Sequence, residues 1–291
     1  MIPTIFLIVL LIGGASSALV KYAGSQIDPI LLVAFRSVLA AVIVLPFLKR
    51  AELQALLKKP LIPTIAGILF AANWITFAFG IQRTSIVVGQ LVYVPTSLIV
   101  AFFGFLLLKE KLTKKQIIGL VFSITGIIFL IFQSYREQNI LSFGTPIGNI
   151  LIVLGLLTWS SYLLLTRKIS KEYKPLTIIF TDFVVSGFVS FLLVPFLVSQ
   201  PINIAIFSTQ LVLSIVAIAL VSSVLFFFLN QWLVKHASAF TASLILYPST
   251  LSAAVYGVVF FKEQLEPALL IGGLMILVGV FLSAFNPGKR K

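Results

Sequence analysis

Two stretches of this 291-residue chain, 84–108 and 237–261, each run for 25 residues without one charged side chain. A helix needs about 20 apolar residues to cross the hydrocarbon core of a bilayer. Eight further segments approach that length: 2–20, 30–48, 61–82, 116–133, 147–166, 176–198, 210–233 and 267–285. Only 10% of the residues are charged, against about 25% in soluble domains. A soluble surface could not be covered with so few charges. The 27 phenylalanines exclude a disordered chain, since disorder goes with few aromatics. Strands of a membrane barrel alternate apolar and polar residues, whereas Leu98–Leu108 is apolar throughout. The expected fold is therefore an all-α integral membrane protein of ten transmembrane helices. The first basic residue, Lys21, follows the first apolar run, where a signal peptide would carry its charge before it. Segment 2–20 is expected to be a retained helix.

The net charge of +13 invites a nucleic-acid reading, but the basic residues are distributed as a topology signal. One side is assigned Lys49, Arg50, Lys58, Lys59, Lys109, Lys111, Lys114, Lys115, Arg167, Lys168, Lys171, Lys174, Lys262 and the terminal Lys289, Arg290 and Lys291, 16 in all. The other receives four: Lys21, Arg83, Arg136 and Lys235. Arg36 lies inside a span. By the positive-inside rule both termini face the cytoplasm, which requires an even number of spans. Membrane lipid is the expected partner of the basic face; nucleic acid is not.

Sliding the chain on itself by 153 residues produces a register. Ser85 falls on Ser238, Pro95 on Pro248, Gly104 on Gly257, Lys109-Glu110 on Lys262-Glu263, Gly119 on Gly272 and Gly126 on Gly279. Apolar composition alone does not supply matched Pro, Lys-Glu and Gly positions, so the repeat is read as real. Residues 1–133 form the first five-helix repeat, 134–146 an outer connecting loop and 147–291 the second repeat, within one membrane domain. Five is odd, so the halves enter the membrane from opposite sides. This 5+5 inverted-topology repeat is the construction of many secondary transporters.

The segments Leu-Lys-Glu-Lys-Leu-Thr (108–113) and Phe-Lys-Glu-Gln-Leu-Glu (261–266) each follow a span with a central Pro and precede one with Gly seven residues apart. With Phe-Arg-Ser around Arg36, the chain resembles the EamA family of the drug/metabolite transporter superfamily, over essentially its whole length. The resemblance implies a bacterial inner-membrane carrier, commonly exporting amino acids or other small metabolites. It also implies a central cavity lined chiefly by spans 1, 3, 4, 6, 8 and 9. No Arg in the second half matches Arg36, and Thr113 is matched by Glu266.

Ionisable groups inside a membrane are costly and mark function by default. Arg36 and Asp182 are the two here, and the functional reading of each is a substrate contact or a gating or coupling group. Structural roles stay open for each: snorkelling or carbonyl capping for Arg36, pairing with a lysine for Asp182. A proton is the candidate coupling ion, through Asp182. Their opposite depths argue against a direct bond. Substrate-binding candidates are the polar and aromatic residues on helical stripes: Asn73, Trp74 and Phe77; Gln90 and Tyr93, with Ser97; Trp159 and Tyr162; Asn230 and Gln231; Ser243 and Tyr247, with Thr250. A dehydrated small solute needs such hydrogen-bond partners and aromatic walls. The alternative is that they join helices to one another. Pro95 and Pro248, at matched positions, are expected to bend their helices near the binding region. Gly13, Gly14, Ser17 and Ala18 form a small-residue face suited to close packing or to leaving room for substrate. Glu110 and Glu263 are expected at the cytoplasmic ends of their helices, in salt bridges.

No phosphate-binding glycine loop, paired-histidine motif or G-x-S-x-G occurs, and the chain has one histidine and no cysteine. A nucleotide-driven pump, a metal site and thiol chemistry are not expected, and no cofactor. The expectation is a carrier, not an enzyme, existing as a monomer or weak homodimer. It would move a small metabolite by alternating access, most simply by amino-acid export. Uptake of a scavenged metabolite or multidrug efflux are the alternatives within the fold. A membrane enzyme acting on lipid-linked substrates is the rival class.

Overall fold

A computed structural model describes residues 2–137, 139–198, 208–236 and 246–284. Every regular element among them is helical. They are α1 (Ile2–Gly24), α2 (Pro29–Val44), α3 (Arg50–Lys58), α4 (Leu61–Ile81), α5 (Ile86–Tyr93), α6 (Thr96–Leu108), α7 (Lys114–Glu137), α8 (Pro146–Ile169) and α9 (Pro175–Leu197). There follow α10 (Thr209–Ala217), a π-helical segment (Ile218–Leu225), α11 (Phe226–His236), α12 (Leu246–Phe261) and α13 (Pro267–Ala284). Among the described residues, eight helices are long and apolar enough to cross a membrane, counting α5–α6 and α10–α11 as one each. Two shorter apolar helices, Ser249–Phe261 and Pro267–Ser283, join them.

Local chemistry sets the ends. Asp28 caps α2 by accepting from Ile30 N, with Pro29 in the first turn. Thr145 caps α8, again followed by proline, and Ser208 caps α10. The expected span 84–108 is two helices rather than one bent helix: α5 stops at Tyr93 and α6 begins at Thr96, with Val94-Pro95 between them. Proline has no N–H to continue the ladder, and here it ends the helix. Its counterpart Pro248 lies in α12, but its side chain is outside the described residues. Lys109 and Lys262, 153 residues apart, are the two non-glycine residues with positive φ among those described, at 56° and 54°.

The packing is inside-out relative to a soluble protein. Ile117, Val121, Ile124 and Ile128 of α7 and Ile271, Leu274 and Phe281 of α13 are exposed, while Asn149, Asn230, Gln231, Ser186 and Ser223 are buried. Lipid rewards that distribution and water would not. The main helix contacts are α1 on α12, α2 on α9, α4 between α8 and α9, and α7 on α13. The α7–α13 crossing is glycine against glycine. A Cβ placed on Gly119 would overlap the Gly279 carbonyl, and one on Gly279 would overlap the Gly119 carbonyl. At its midpoint Ser123 Oγ donates to the Ile276 carbonyl at 3.3 Å. The small-residue face of α1 likewise serves close packing: Gly14 N donates to Ser252 Oγ of α12 at 2.9 Å.

The structure corrects the side assigned to two loops. Glu263, beside Lys262, bonds Lys21 and the amides of Ile86 and Val87. Lys262 therefore lies at the end of the bundle that carries Lys21 and Arg83. Lys235 Nζ donates to the Tyr173 carbonyl and so belongs to the end carrying Arg167 and Lys174. Glu110, which pairs with Arg167, and Glu263 are thus at opposite ends of the bundle, not both at the cytoplasmic one. The reason is parity: an odd number of spans separates the two motifs. Exchanging one lysine for another leaves the 16 to 4 split unchanged.

Candidate functional site

The helices close around a cavity of about 80 Å³ in the middle of the bundle. Gly13, Ser16, Ser17 and Val20 of α1 form one wall, and Asn73, Trp74 and Phe77 of α4 the next. Gln90 and Tyr93 of α5, Trp159 of α8, Phe226 and Phe227 of α11, and Leu246 and Ser249 of α12 complete it, together with Arg36 of α2. Of the residues singled out by sequence, Asn73, Trp74, Phe77, Gln90, Tyr93, Trp159 and Arg36 are brought together there.

Most of their polar atoms are already oriented. Asn73 Nδ2 donates to the Tyr93 hydroxyl at 2.7 Å and to the Gly155 carbonyl at 2.9 Å. Gly155 lets that hydroxyl approach the α8 backbone, since a Cβ there would overlap it. Gln90 Nε2 donates to Ser17 Oγ. Two buried atoms in the wall, Gln90 Oε1 and Trp159 Nε1, have no hydrogen-bond partner among the described residues. Phe227 meets Trp74 edge-on at 5.4 Å and Trp159 at 5.7 Å, so the aromatic wall is continuous.

Arg36 is 4% exposed, and its guanidinium lies 3.7 Å from the Trp74 ring centroid. Nε and Nη2 both donate to Ser223 Oγ, at 3.3 and 3.1 Å. That serine sits in the π-helical segment and donates its own hydrogen bond to the Ile218 carbonyl. The wider turn aims a hydroxyl oxygen at the arginine, as π-segments often do at functional sites. No carboxylate pairs with Arg36 among the described residues.

Tyr162, Gln231 and Asp182 do not line the cavity; they form a buried chain beneath its wall. Tyr162 stacks on Trp159, donates to Asp182 Oδ2 at 2.5 Å and accepts from Gln231 Nε2 at 2.6 Å. Asp182 Oδ1 has no partner among the described residues, and the carboxyl is in no ion pair. A narrow void lined by Leu56, Tyr173 and Thr181 reaches it from the Arg167 end. Of the groups on packed helices, Tyr162 of α8 touches it. Arg36 of α2 is held by Ser223, and Lys235 and His236 of α11 bond the Tyr173 and Trp232 carbonyls. Ser37 and Ser186 join α2 to α9 at 3.0 Å. No Arg36–Asp182 ion pair is present among the described residues.

Asn230 is fully buried and also off the cavity wall. Tyr247 bonds Ser97 at 3.2 Å and stands at the edge of a separate apolar groove of about 950 Å³, shared with Thr250, Leu91 and α13. Ser243 lies outside the described residues. Sequence reasoning missed Ser16, Phe226, Phe227 and Ser249 as cavity residues. Ser249 could have been found, since it shares a helix face with Ser252 against the glycines of α1.

The end near Lys21 is tied together by a network of side-chain contacts. Glu263 is 1% exposed at its side chain; it meets Lys21 Nζ at 3.1 Å and accepts from Ile86 N and Val87 N at 2.6 and 3.1 Å. A carboxylate there satisfies orphan amides at the positive end of α5. Asn139 and Ser142 both donate to Glu266, and Gln82 donates to the Val20 and Lys21 carbonyls. At the opposite end Glu110 meets Arg167 at 3.0 Å with both side chains about half exposed, at 45% and 50%.

The EamA-like transporter family is matched by two segments, residues 2–132 and 146–285. The chain belongs to the EamA-like transporter family. An uncharacterized transporter of Bacillus subtilis (strain 168), YyaM, is 28% identical over 93% of this chain and 89% of its own length. YetK of the same strain, also an uncharacterized transporter, is 26% identical over 94% and 83%. An uncharacterized transporter of Archaeoglobus fulgidus is 21% identical over 94% of both chains. A solved crystal structure shares the fold with a TM-score of 0.66 at 17% identity, over 96% of this chain and 94% of that one. This EamA-family chain is a multi-pass membrane transporter rather than an enzyme.

Proposed function

We propose that the chain is a secondary carrier that moves a small metabolite, most simply an amino acid or related solute, across the inner membrane by alternating access. The carrying observation is the pair of matched ionic contacts around one central cavity. Lys21, in the last turn of α1, meets Glu263; Arg167, in the last turn of α8, meets Glu110, which stands 153 positions before Glu263. Such pairs related by an inverted repeat can exchange roles, one sealing while the other loosens. Ten spans in a 5+5 arrangement are supported by the two family segments and by the matched backbone at Lys109 and Lys262. They are also supported by Gly119 meeting Gly279, the counterpart of Gly126.

Both termini are placed in the cytoplasm on the basic-residue split, so the Lys21 end is the outer one. Export is the assigned direction, on the family resemblance. A cavity of about 80 Å³ favours a small metabolite over a bulky drug, since drug-sized ligands occupy roughly 300 Å³ or more. Asp182 is the group assigned to a coupling proton, because it is buried, lies beside the cavity and has no cationic partner. The protein is taken to act as a monomer or weak homodimer.

The test is substrate-induced thermal stabilisation of the purified protein, followed by counterflow in proteoliposomes. A solute that both stabilises and exchanges, with both effects lost in Asn73→Ala, supports the carrier. Binding without exchange across amino acids, nucleosides, vitamins and cationic drugs would overturn it.

A further inference from the structure

Resting on the carrier reading, we propose that Arg36 is the docking point for a carboxylate of the transported solute. Three observations converge. First, Arg36 is the one charged residue in the described cavity wall, and it is 4% exposed. Second, its hydrogen bonds to protein use Nε and Nη2 on a single acceptor, Ser223 Oγ. Nη1 donates to nothing among the described residues, and no carboxylate among them balances the charge. A buried guanidinium with spare donors and no counter-ion fits an incoming anion, and its planar fork matches a carboxylate in geometry. Third, the group is held rather than loose. Trp74 lies under its face at 3.7 Å, and the π-helical segment fixes Ser223 at its edge. A guanidinium so placed pays little ordering entropy when a solute arrives.

The rest of the wall sorts the solute further. Trp159 Nε1 is a second unused donor, suited to the same anion. Gln90 Oε1 is an unused acceptor, suited to an N–H donor on the solute. There is no carboxylate in the wall to hold an isolated amine. The chemistry therefore fits a small monocarboxylate, with or without an ammonium group, and disfavours a cation lacking a carboxylate. The arginine makes the carboxylate the obligatory part.

The experiment uses the full chain in detergent and in proteoliposomes, with matched probes: amino acids, their amides, and the same skeletons lacking either the carboxyl or the amino group. The expected result is that one or more free acids stabilise the protein and undergo counterflow while the corresponding amides and amines do not. Arg36→Gln weakens apparent affinity for those acids by roughly 10- to 100-fold, the worth of a charge-assisted hydrogen bond. Arg36→Lys keeps the charge and recovers part of it, which separates a lost docking group from a misfolded protein. Amides or amines that exchange as well as the acids, or an Arg36→Gln protein that keeps full affinity for the acids, overturn the assignment and leave the carrier standing. Absence of exchange for every probe, charged or not, overturns both.

Discussion

The carboxylate of Glu263 and the ammonium of Lys21 stand 3.1 Å apart, at the junction of three elements distant in sequence. Lys21 also donates to the Thr84 carbonyl at 2.7 Å, and Glu263 covers the first amides of α5. One ion pair thereby ties the end of α1 and the start of α5 to the connection between α12 and α13. Removing one member leaves the other charge buried, which costs about 3–5 kcal/mol in well-buried pairs and less here because Lys21 keeps 18% exposure.

Glu263→Gln is expected to loosen that end and admit reagents to the cavity from it. The chain has no cysteine, so a single Ser16→Cys reports access without background. A membrane-impermeant maleimide applied from outside should label Ser16→Cys at least several-fold faster in the Glu263→Gln background. Equal labelling rates would show that the pair does not seal the cavity.

Gly119 and Gly279 are expected to tolerate no side chain. Each is backed by the other's carbonyl oxygen, so even a methyl group forces α7 and α13 apart. Gly119→Val or Gly279→Val should destabilise the protein by about 1–3 kcal/mol or more, as overpacking does. The fall in thermal midpoint measures it. Val121→Ala on the exposed face of α7 should be close to neutral by the same assay.

Tyr162→Phe removes the donor to Asp182 Oδ2 and the acceptor of Gln231 Nε2 together. Leaving buried polar groups unsatisfied costs about 1–3 kcal/mol each, so a clear loss of thermal stability is expected. Asp182→Asn keeps an acceptor for the Tyr162 hydroxyl and should fold. It is expected to retain counterflow yet lose stimulation by an imposed pH gradient; stimulation that persists would remove Asp182 from coupling.

Outside the membrane, Lys174 donates to Glu52 at 2.7 Å and pins α3 to the start of α9. That hydrogen bond is the main cause holding the Glu52 carboxyl below its usual range, against a smaller opposing effect of burial. A carboxyl depressed on folding adds stability that is present above its unfolded value, near 4.3, and is lost as pH falls through the lower folded one. Glu52→Gln should therefore lower thermal stability slightly at pH 7 and progressively less as the pH falls below about 4.3. The effect is small because the pair is solvent-screened.

The apolar runs fixed helix type and approximate limits, because a backbone in lipid satisfies its own hydrogen bonds and span length is set by bilayer thickness. The 153-residue register marked Lys109 and Lys262, which share one backbone conformation, and the glycines at which α7 and α13 cross. Sequence also drew the cavity-lining group Asn73, Trp74, Phe77, Gln90, Tyr93 and Trp159 from the spans by their polarity. What it could not settle was which way a side chain turns. Lipid and protein interior are both apolar, so a membrane helix carries little periodic contrast between its faces. Arg36 enters the cavity only because Trp74 and Ser223, 38 and 187 residues away, stand there to hold it. Tyr162 is drawn below the wall by Asp182 and Gln231 on two other helices. The end to which Glu263 belongs, by contrast, is set by the parity of the spans, and its contact with Lys21 agrees. Depth and span are properties of one segment read against the bilayer, whereas facing and partnership are set by several helices at once, and only the assembled bundle decides them.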